Sequence, residues 1–136
     1  MSNPLDAYAL TVHLDAPYEQ TRAKVEAALK EQGFGIVTEI DMRRTFREKL
    51  DVEFRQYAIL GACNPGLAIR ALTAEPQVGL LLPCNVILYE DEDGTGTTVS
   101  VVDPIGMLGD IHLAELQAVA DDAHDRLSKV AAALAS

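Results

Sequence analysis

The sequence has 136 residues, of which 49% are hydrophobic, and this length and composition match one folded domain and exclude a disordered chain. Its 21 acidic and 11 basic residues give a net charge of −10, which disfavours nonspecific binding to nucleic acid or to an anionic membrane, because both require a basic face. We therefore expect neither nucleic acid nor a membrane as a partner.

The N-terminal segment and the apolar stretches predict a cytoplasmic protein. Residues 1–10 lack a basic residue followed by an apolar core and a small-residue cleavage site, so they do not resemble a secretory signal. The longest apolar stretch, residues 78–89, is interrupted by Pro83 and Asn85 and is shorter than the ~20 residues that cross a bilayer. In a reducing compartment the two cysteines are expected to be free thiols.

The first third of the chain predicts two strands around a helix. Residues 7–14 place apolar side chains at every second position, which predicts a first strand. We expect Asp15 to cap a helix that has Pro17 in its first turn and ends at Gly33. Residues 34–40 resume the alternation and predict a second strand.

The middle of the chain predicts a short helix, a central strand and another helix. Asp41 is a suitable cap for a helix over residues 42–50, whose apolar side chains recur at every fourth position. Residues 57–62 contain no charge and predict a strand in the interior of the sheet. Asn64 is then a good N-cap and Pro65 a good first residue for a helix that stops before residue 76.

The last third predicts a hairpin, an apolar loop and a long amphipathic helix. The predicted segments are a strand over 80–90, a polar loop over 91–96, a strand over 97–102, a loop over 103–111 and a helix over 113–134. Within the first of these strands, Pro83 indicates a sheet edge or a bulge, because proline cannot donate to the ladder. The element order β-α-β-(α)-β-α-β-β-α predicts one α+β domain over residues 1–136, with a mainly antiparallel sheet backed by helices.

Cys63 is the strongest candidate for a chemically active residue. It directly precedes the helix that Asn64 caps, where unpaired backbone N–H groups and the helix dipole favour a negative charge. It could therefore be a nucleophile or a soft metal ligand. The alternative is that Cys63 and Cys84 are small buried apolar side chains, which is the usual role of a free cysteine.

A second group of candidates depends on the two cysteines meeting in the fold. One helix and a connection separate Cys63 from Cys84, so the chain returns to the sheet between them. A redox pair or half of a metal site would follow, with His13, His112 or Asp103 as completing ligands. No histidine has metal-type spacing, and a structural role for each histidine is the alternative.

Two further features have a functional and a structural interpretation. Asp103-Pro104 ends a strand, where binding residues often gather, but the dipeptide also initiates turns. The basic residues of segment 42–50 could bind an anion, or they could form a solvated helix face balanced by neighbouring carboxylates.

The chain resembles the bacterial family of domain of unknown function 302. The segments that carry the resemblance are Tyr57-Ala58-Ile59-Leu60-Gly61-Ala62-Cys63-Asn64-Pro65, Leu82-Pro83-Cys84-Asn85-Val86, Asp103-Pro104 and Met107-Leu108. The resemblance implies an α+β domain with a TATA-binding-protein-like fold and a tendency to form homodimers. It also implies a signature of Gly61, Cys63, Asn64, Pro65, Pro83, Cys84, Asn85, Asp103 and Pro104, and it implies no reaction.

Two functional hypotheses follow from these residues, beside a third possibility in which the chain is a structural or regulatory interaction protein that acts as a dimer. The first is a dimeric module that binds a small ligand or a metal between the 61–65 turn, the 83–86 strand start and the apolar loop over 104–111. Its candidate ligand-binding residues are Gly61, Cys63, Asn64, Pro83, Cys84, Asn85 and Asp103. The second is a thiol-dependent enzyme or redox protein that uses Cys63 with Cys84. The sequence specifies neither a cofactor nor whether a reaction is catalysed.

Charge is distributed unevenly along the chain. Residues 1–74 hold 9 basic and 10 acidic side chains, whereas residues 75–136 hold 2 basic and 11 acidic ones. The candidate turn over 61–65 and the strand start over 83–86 contain no charged residue. Any chemistry there must therefore rest on thiols, amides and backbone N–H groups.

Overall fold

The computed structural model describes residues 3–136, which form a five-stranded sheet with helices. The strands are β1 (Ala9–Leu14), β2 (Gly35–Asp41), β3 (Tyr57–Cys63), β4 (Cys84–Glu90) and β5 (Thr97–Val102). Their order across the sheet is β1-β5-β4-β3-β2, and every neighbouring pair is antiparallel. The predicted α+β class, the antiparallel sheet and the interior position of β3 are confirmed.

Five helices accompany the sheet. They are α1 (Tyr18–Glu31), α2 (Met42–Leu50), α3 (Pro65–Ala74), α4 (Pro104–Leu108) and α5 (Ala114–Ala135), with two short 3-10 helices at Asp6–Tyr8 and Pro76–Leu81. The long helix α5 packs between α1 and α3, and these three helices form a layer on one face of the sheet. Within residues 3–136, no helix has the length and apolar character needed to cross a membrane.

The core lies between the sheet and this helical layer. Alternate residues of the central strands face the helices, and Leu60, Leu88 and Val99 are completely buried. Leu29 of α1 and Leu127 of α5 are also completely buried in this core. Burying each of these leucines contributes about 1.5–3 kcal/mol, so the alternation over residues 57–62, 84–90 and 97–102 fixes which face of the sheet carries the helices.

The structure corrects the prediction at the start of α1. Asp15 does not cap the helix, which begins at Tyr18 after Pro17 in an extended conformation. The residue before a proline is disfavoured in helical conformation, so Ala16 cannot extend the helix backwards to Asp15. The Asp15 carboxylate lies 3.2 Å from Nε2 of His13 instead.

Three other boundaries also differ from prediction. The segment 76–81 is a 3-10 helix and β4 begins only at Cys84, so Pro83 lies before an interior strand and marks neither an edge nor a bulge. Segment 103–111 is not wholly a loop, because the Asp103 side chain accepts a hydrogen bond from Ile105 N and caps α4. β1 starts at Ala9 because the preceding residues form the first 3-10 helix.

Candidate functional site

Near the end of β3, Gly61 lies directly against Pro83. A Cβ on Gly61 would overlap Oγ1 of Thr38 and would lie 2.7 Å from Cγ of Pro83. Gly61 pairs with Asn85 across the β3–β4 ladder, so the start of β4 comes directly beside it. Gly61 therefore allows residues 82–84 to pack close to β3, and this packing places Cys84 beside Ala62.

Asn64 fixes the start of α3 and connects it to the end of α1. Its Oδ1 accepts a hydrogen bond from Leu67 N at 3.2 Å, which is the predicted N-cap. Its Nδ2 donates to the Gln32 carbonyl at 3.5 Å. Both polar ends of the amide thus have partners within the protein, and Asn64 is a structural polar group at this site.

The two cysteines lie on neighbouring strands and line the same cavity. Both are free thiols and half-buried. Burial raises the pKa of the Cys84 thiol to about 11, and the nearby Cys63 sulfur adds to the effect. Cys84 is therefore protonated at neutral pH, and it is a poor nucleophile there because thiolate is the reactive form.

The cavity has a volume of about 320 Å³ and lies between α3, α4, α5 and the adjoining ends of β3 and β4. Alanines provide much of its wall: Ala62 from β3, Ala68 and Ala71 from α3, and Ala120 and Ala123 from α5. Larger apolar side chains complete the lining: Phe34, Val37, Leu67, Leu72, Val78, Leu82, Pro83, Pro104, Leu108 and Val119. The space exists because methyl groups from two facing helices do not fill the gap between them.

The lining is almost entirely apolar. Besides the two cysteines, only Thr38 and Asn64 bring polar side chains, and the lining residues include no Asp, Glu, Lys, Arg or His. Val37 and Leu72 are 61% and 40% exposed, so the cavity reaches the surface between β2 and α3. A shift of register between Ile36 and Thr38 removes Val37 from the regular pairing and turns it to this opening.

The other predicted site residues lie away from the cavity. Asn85 is exposed. It points to the sheet face opposite the helices, as do Ile87 and Tyr89, because these residues are two positions apart along β4. Gly61 allows Pro83 to pack closely against β3, but it does not itself line the cavity. Asp103 also lies outside the lining, although the next residue, Pro104, belongs to it.

The candidate metal ligands do not come together. His13 lies beside Asp91 and Asp15, His112 is exposed, and Asp103 contacts His124. Among residues 3–136 there is no group of three His, Cys, Asp or Glu side chains that could hold a metal ion. The residues around Cys63 and Cys84 therefore offer two sulfur ligands without a third.

Sequence reasoning missed two features of this region. Nδ1 of His124 lies 2.9 Å from Oδ1 of Asp103, which joins the cap of α4 to α5. No spacing rule relates these two residues, which are 21 positions apart. The alanine walls of the cavity had a signal in the sequence, because alanine pairs three residues apart occur on both α3 and α5. The pairs form a cavity, however, only where the two helices pack together.

Comparison with known proteins gives a family and a structural neighbour. A family model described as "Domain of unknown function DUF302" matches residues 10–134. A solved structure, an uncharacterized conserved protein of the same family from Bacillus stearothermophilus, superposes with a TM-score of 0.82 at 28% sequence identity, covering 93% of this chain and 97% of that one. No curated protein matches the chain.

Proposed function

The chain belongs to the family of domain of unknown function 302, whose description specifies no activity, and we propose from its geometry that it binds a small, uncharged, apolar molecule. The observation that carries this proposal is the cavity of about 320 Å³ around Cys63 and Cys84. Its volume is at the lower end of the range for small-molecule sites, about 300–1,000 Å³. Apolar cavities of only ~150 Å³ already bind benzene.

The lining favours one chemical class of ligand. A charged group buried here would lose its hydration without gaining an ion pair, because the lining offers no charged side chain. The Asn64 amide is already hydrogen-bonded, so the remaining polar side-chain groups of the lining are the Thr38 hydroxyl and the two thiols, and thiols are weak donors. A bicyclic aromatic molecule with at most one weak polar group fits these constraints.

Indole is a suitable probe, with indole-3-carboxylate as its charged counterpart. With nine non-hydrogen atoms, indole should bind with a dissociation constant on the order of 0.1 mM. We expect calorimetric titration to detect indole and not the carboxylate. Equal binding of both compounds, or of neither, would contradict the proposal.

A pair of variants on one helix locates the binding. Ala120 is 4% exposed and lines the cavity, whereas Ala118 on the same helix is exposed to solvent. Ala120→Leu should fill the space and abolish indole binding, while Ala118→Leu should leave it unchanged. If both variants bind indole as the wild type does, the molecule binds elsewhere.

A thiol-dependent reaction at Cys63 is the second candidate. The position of Cys63 at the N-terminus of α3, within the same cavity, favours it. The raised pKa of Cys84 counts against a dithiol mechanism, because the second thiol stays protonated at neutral pH. Alkylation with iodoacetamide, followed by mass spectrometry, distinguishes the two functions: a thiol enzyme requires rapid modification of Cys63 in the folded protein, and slow modification leaves ligand binding as the function.

A further inference from the structure

Three side chains outside the cavity lining form a hydrogen-bonded series between the end of β5 and α5. Nδ1 of His124 lies 2.9 Å from Oδ1 of Asp103, and Nε2 of the same ring lies 3.4 Å from Oγ of Ser128. A carboxylate thus engages one ring nitrogen of the histidine, and a hydroxyl engages the other. This order of carboxylate, imidazole and hydroxyl is that of a Ser-His-Asp catalytic triad.

The atoms that meet in this series define the role of each side chain. A carboxylate only accepts hydrogen bonds, so the hydrogen of the neutral His124 ring lies on Nδ1, which faces Asp103. Nε2 then carries the free lone pair, and the Ser128 hydroxyl donates to it. The distance between a nucleophile and its base is often longer than an ideal hydrogen bond before a substrate binds, so 3.4 Å is compatible with these roles.

Secondary structure holds the three side chains in place. Asp103 N donates to the Tyr8 carbonyl at 2.8 Å, and the Asp103 carboxylate also accepts from Ile105 N at 3.0 Å. His124 and Ser128 are four residues apart on α5, so their side chains are neighbours on one face of the helix. The side chains of Asp103 and His124 are 19% and 30% exposed, and Ser128 is partly exposed. A substrate can therefore reach the hydroxyl while the carboxylate stays mostly covered.

A small cleft near the triad indicates the class of substrate. It has a volume of about 260 Å³ and lies between α4 and α5. Its Gln117 and Asp121 lie on the face of α5 that carries the triad histidine and serine, because spacings of three and four residues keep side chains on one face. The apolar side chains of its lining are Ile105, Leu108 and Ala120. The cleft thus favours an apolar acyl group, and the exposed Asp121 carboxylate disfavours an anionic one.

We propose that these residues catalyse the hydrolysis of neutral carboxylic esters, an activity separate from ligand binding in the cavity. Ser128 is the nucleophile, His124 is the general base and Asp103 is the positioning residue. Ser128 Oγ forms a bond to the acyl carbon while its proton passes to Nε2 of His124. The bond from the acyl carbon to the alcohol oxygen breaks, and the alcohol takes that proton. Water then adds its oxygen to the acyl carbon and returns a proton through His124 to Ser128, so one ester and one water give one acid and one alcohol.

Fluorophosphonate labelling and ester hydrolysis test this proposal. An alkyl fluorophosphonate should form a bond from its phosphorus to Ser128 Oγ with loss of fluoride, and peptide mass spectrometry should locate the adduct there. Ser128→Ala should abolish this adduct and the hydrolysis of p-nitrophenyl butyrate. His124→Gln should slow both reactions by about 100-fold or more, because a general base contributes 10²–10⁴-fold. The matched controls are His112→Gln and Ser136→Ala, at an exposed histidine and an exposed serine, and neither should change the rates.

Asp103→Asn tests the positioning role. Asparagine keeps an oxygen for Ile105 N and is also a good N-cap, so α4 should remain in place. It removes the negative charge that stabilises the imidazolium formed in the transition state. The kcat for p-nitrophenyl butyrate should therefore fall by about tenfold or more with KM unchanged. An unchanged kcat would mean that Asp103 only caps α4.

The other outcomes overturn the proposal. A wild type without an adduct on Ser128 would mean that the three side chains only link α4 to α5. An adduct that forms equally fast in His124→Gln would mean that the hydroxyl reacts without a base. Cys63→Ala and saturating indole should leave labelling of Ser128 unchanged, so the triad and the cavity are tested separately.

Discussion

The raised pKa of Cys84 makes the stability of this protein depend on pH in the alkaline range. Burial raises this pKa from 9.0 to about 11, so the folded protein holds the thiol proton more tightly than the unfolded chain does. The stabilisation is therefore complete below about pH 9 and is lost as the pH rises to about 11. This change corresponds to about 3 kcal/mol.

Replacing the thiol isolates this contribution. Between pH 8.5 and 11, the free energy of unfolding of the wild type should fall by about 2 kcal/mol more than that of Cys84→Ala, because the folded thiol is only half titrated at pH 11. Urea denaturation followed by circular dichroism measures both proteins across this range. Burial also raises the pKa of Tyr18 to about 12. Because both proteins contain Tyr18, its contribution to the alkaline loss of stability is the same in each and cancels in the comparison.

The matched control is Cys63→Ala. It leaves the burial of Cys84 in place, and burial is the larger cause of the shift, so most of the alkaline loss should remain. Parallel curves for the wild type and Cys84→Ala would refute the reasoning, because they would mean that Cys84 titrates equally in the folded and unfolded states.

Three other substitutions have predicted effects on thermal stability. Gly61→Ala should cost about 1–3 kcal/mol, because its Cβ would overlap Thr38 Oγ1, whereas Gly35→Ala meets nothing within 4 Å and should change little. Asn64→Ala removes the cap of α3 and should cost about 1 kcal/mol, with Asn85→Ala as the exposed control. Thr21→Val should preserve or increase stability, since the buried Thr21 hydroxyl has no partner within residues 3–136.

Each of these effects can be contradicted by calorimetry of the variant and its control. Equal melting temperatures for Gly61→Ala and Gly35→Ala would mean that residues 82–84 move away at no cost. A loss in Asn85→Ala as large as in Asn64→Ala would remove the capping explanation. A destabilised Thr21→Val would indicate that the hydroxyl has a partner.

Local patterns predicted those parts of the structure that local interactions determine. Asn64 and Asp41 cap their helices because a side-chain oxygen needs only the backbone N–H three residues ahead. The 3.6-residue period of α5 and the alternation in β3 and β5 likewise reflect burial on one side of an element. At Asp15 the local rule failed, because Pro17 imposes a restriction on Ala16 that outweighs the preference of aspartate for a cap.

The cavity could not be predicted from such patterns. Its walls come from five separate segments, and its volume depends on how closely α3 and α5 approach each other. The sequence indicated the 61–65 turn, the 83–86 strand start and the 104–111 segment, and the lining includes residues of all three. Asn85 was proposed with them as a polar amide of the family signature and Asp103 as a residue at a strand end, but strand alternation turns Asn85 to the opposite face, and capping directs Asp103 to α4.

On this account, the cavity around Cys63 and Cys84 takes up a neutral apolar molecule. Carbon-13 labelling of the alanine methyl groups tests this uptake directly, because Ala62, Ala68, Ala71, Ala120 and Ala123 line the cavity and Ala118 does not. Titration with indole should shift the methyl signals of the five lining alanines and leave that of Ala118 unchanged. Shifts confined to other alanines, or no shift up to several times the expected dissociation constant, would contradict the account.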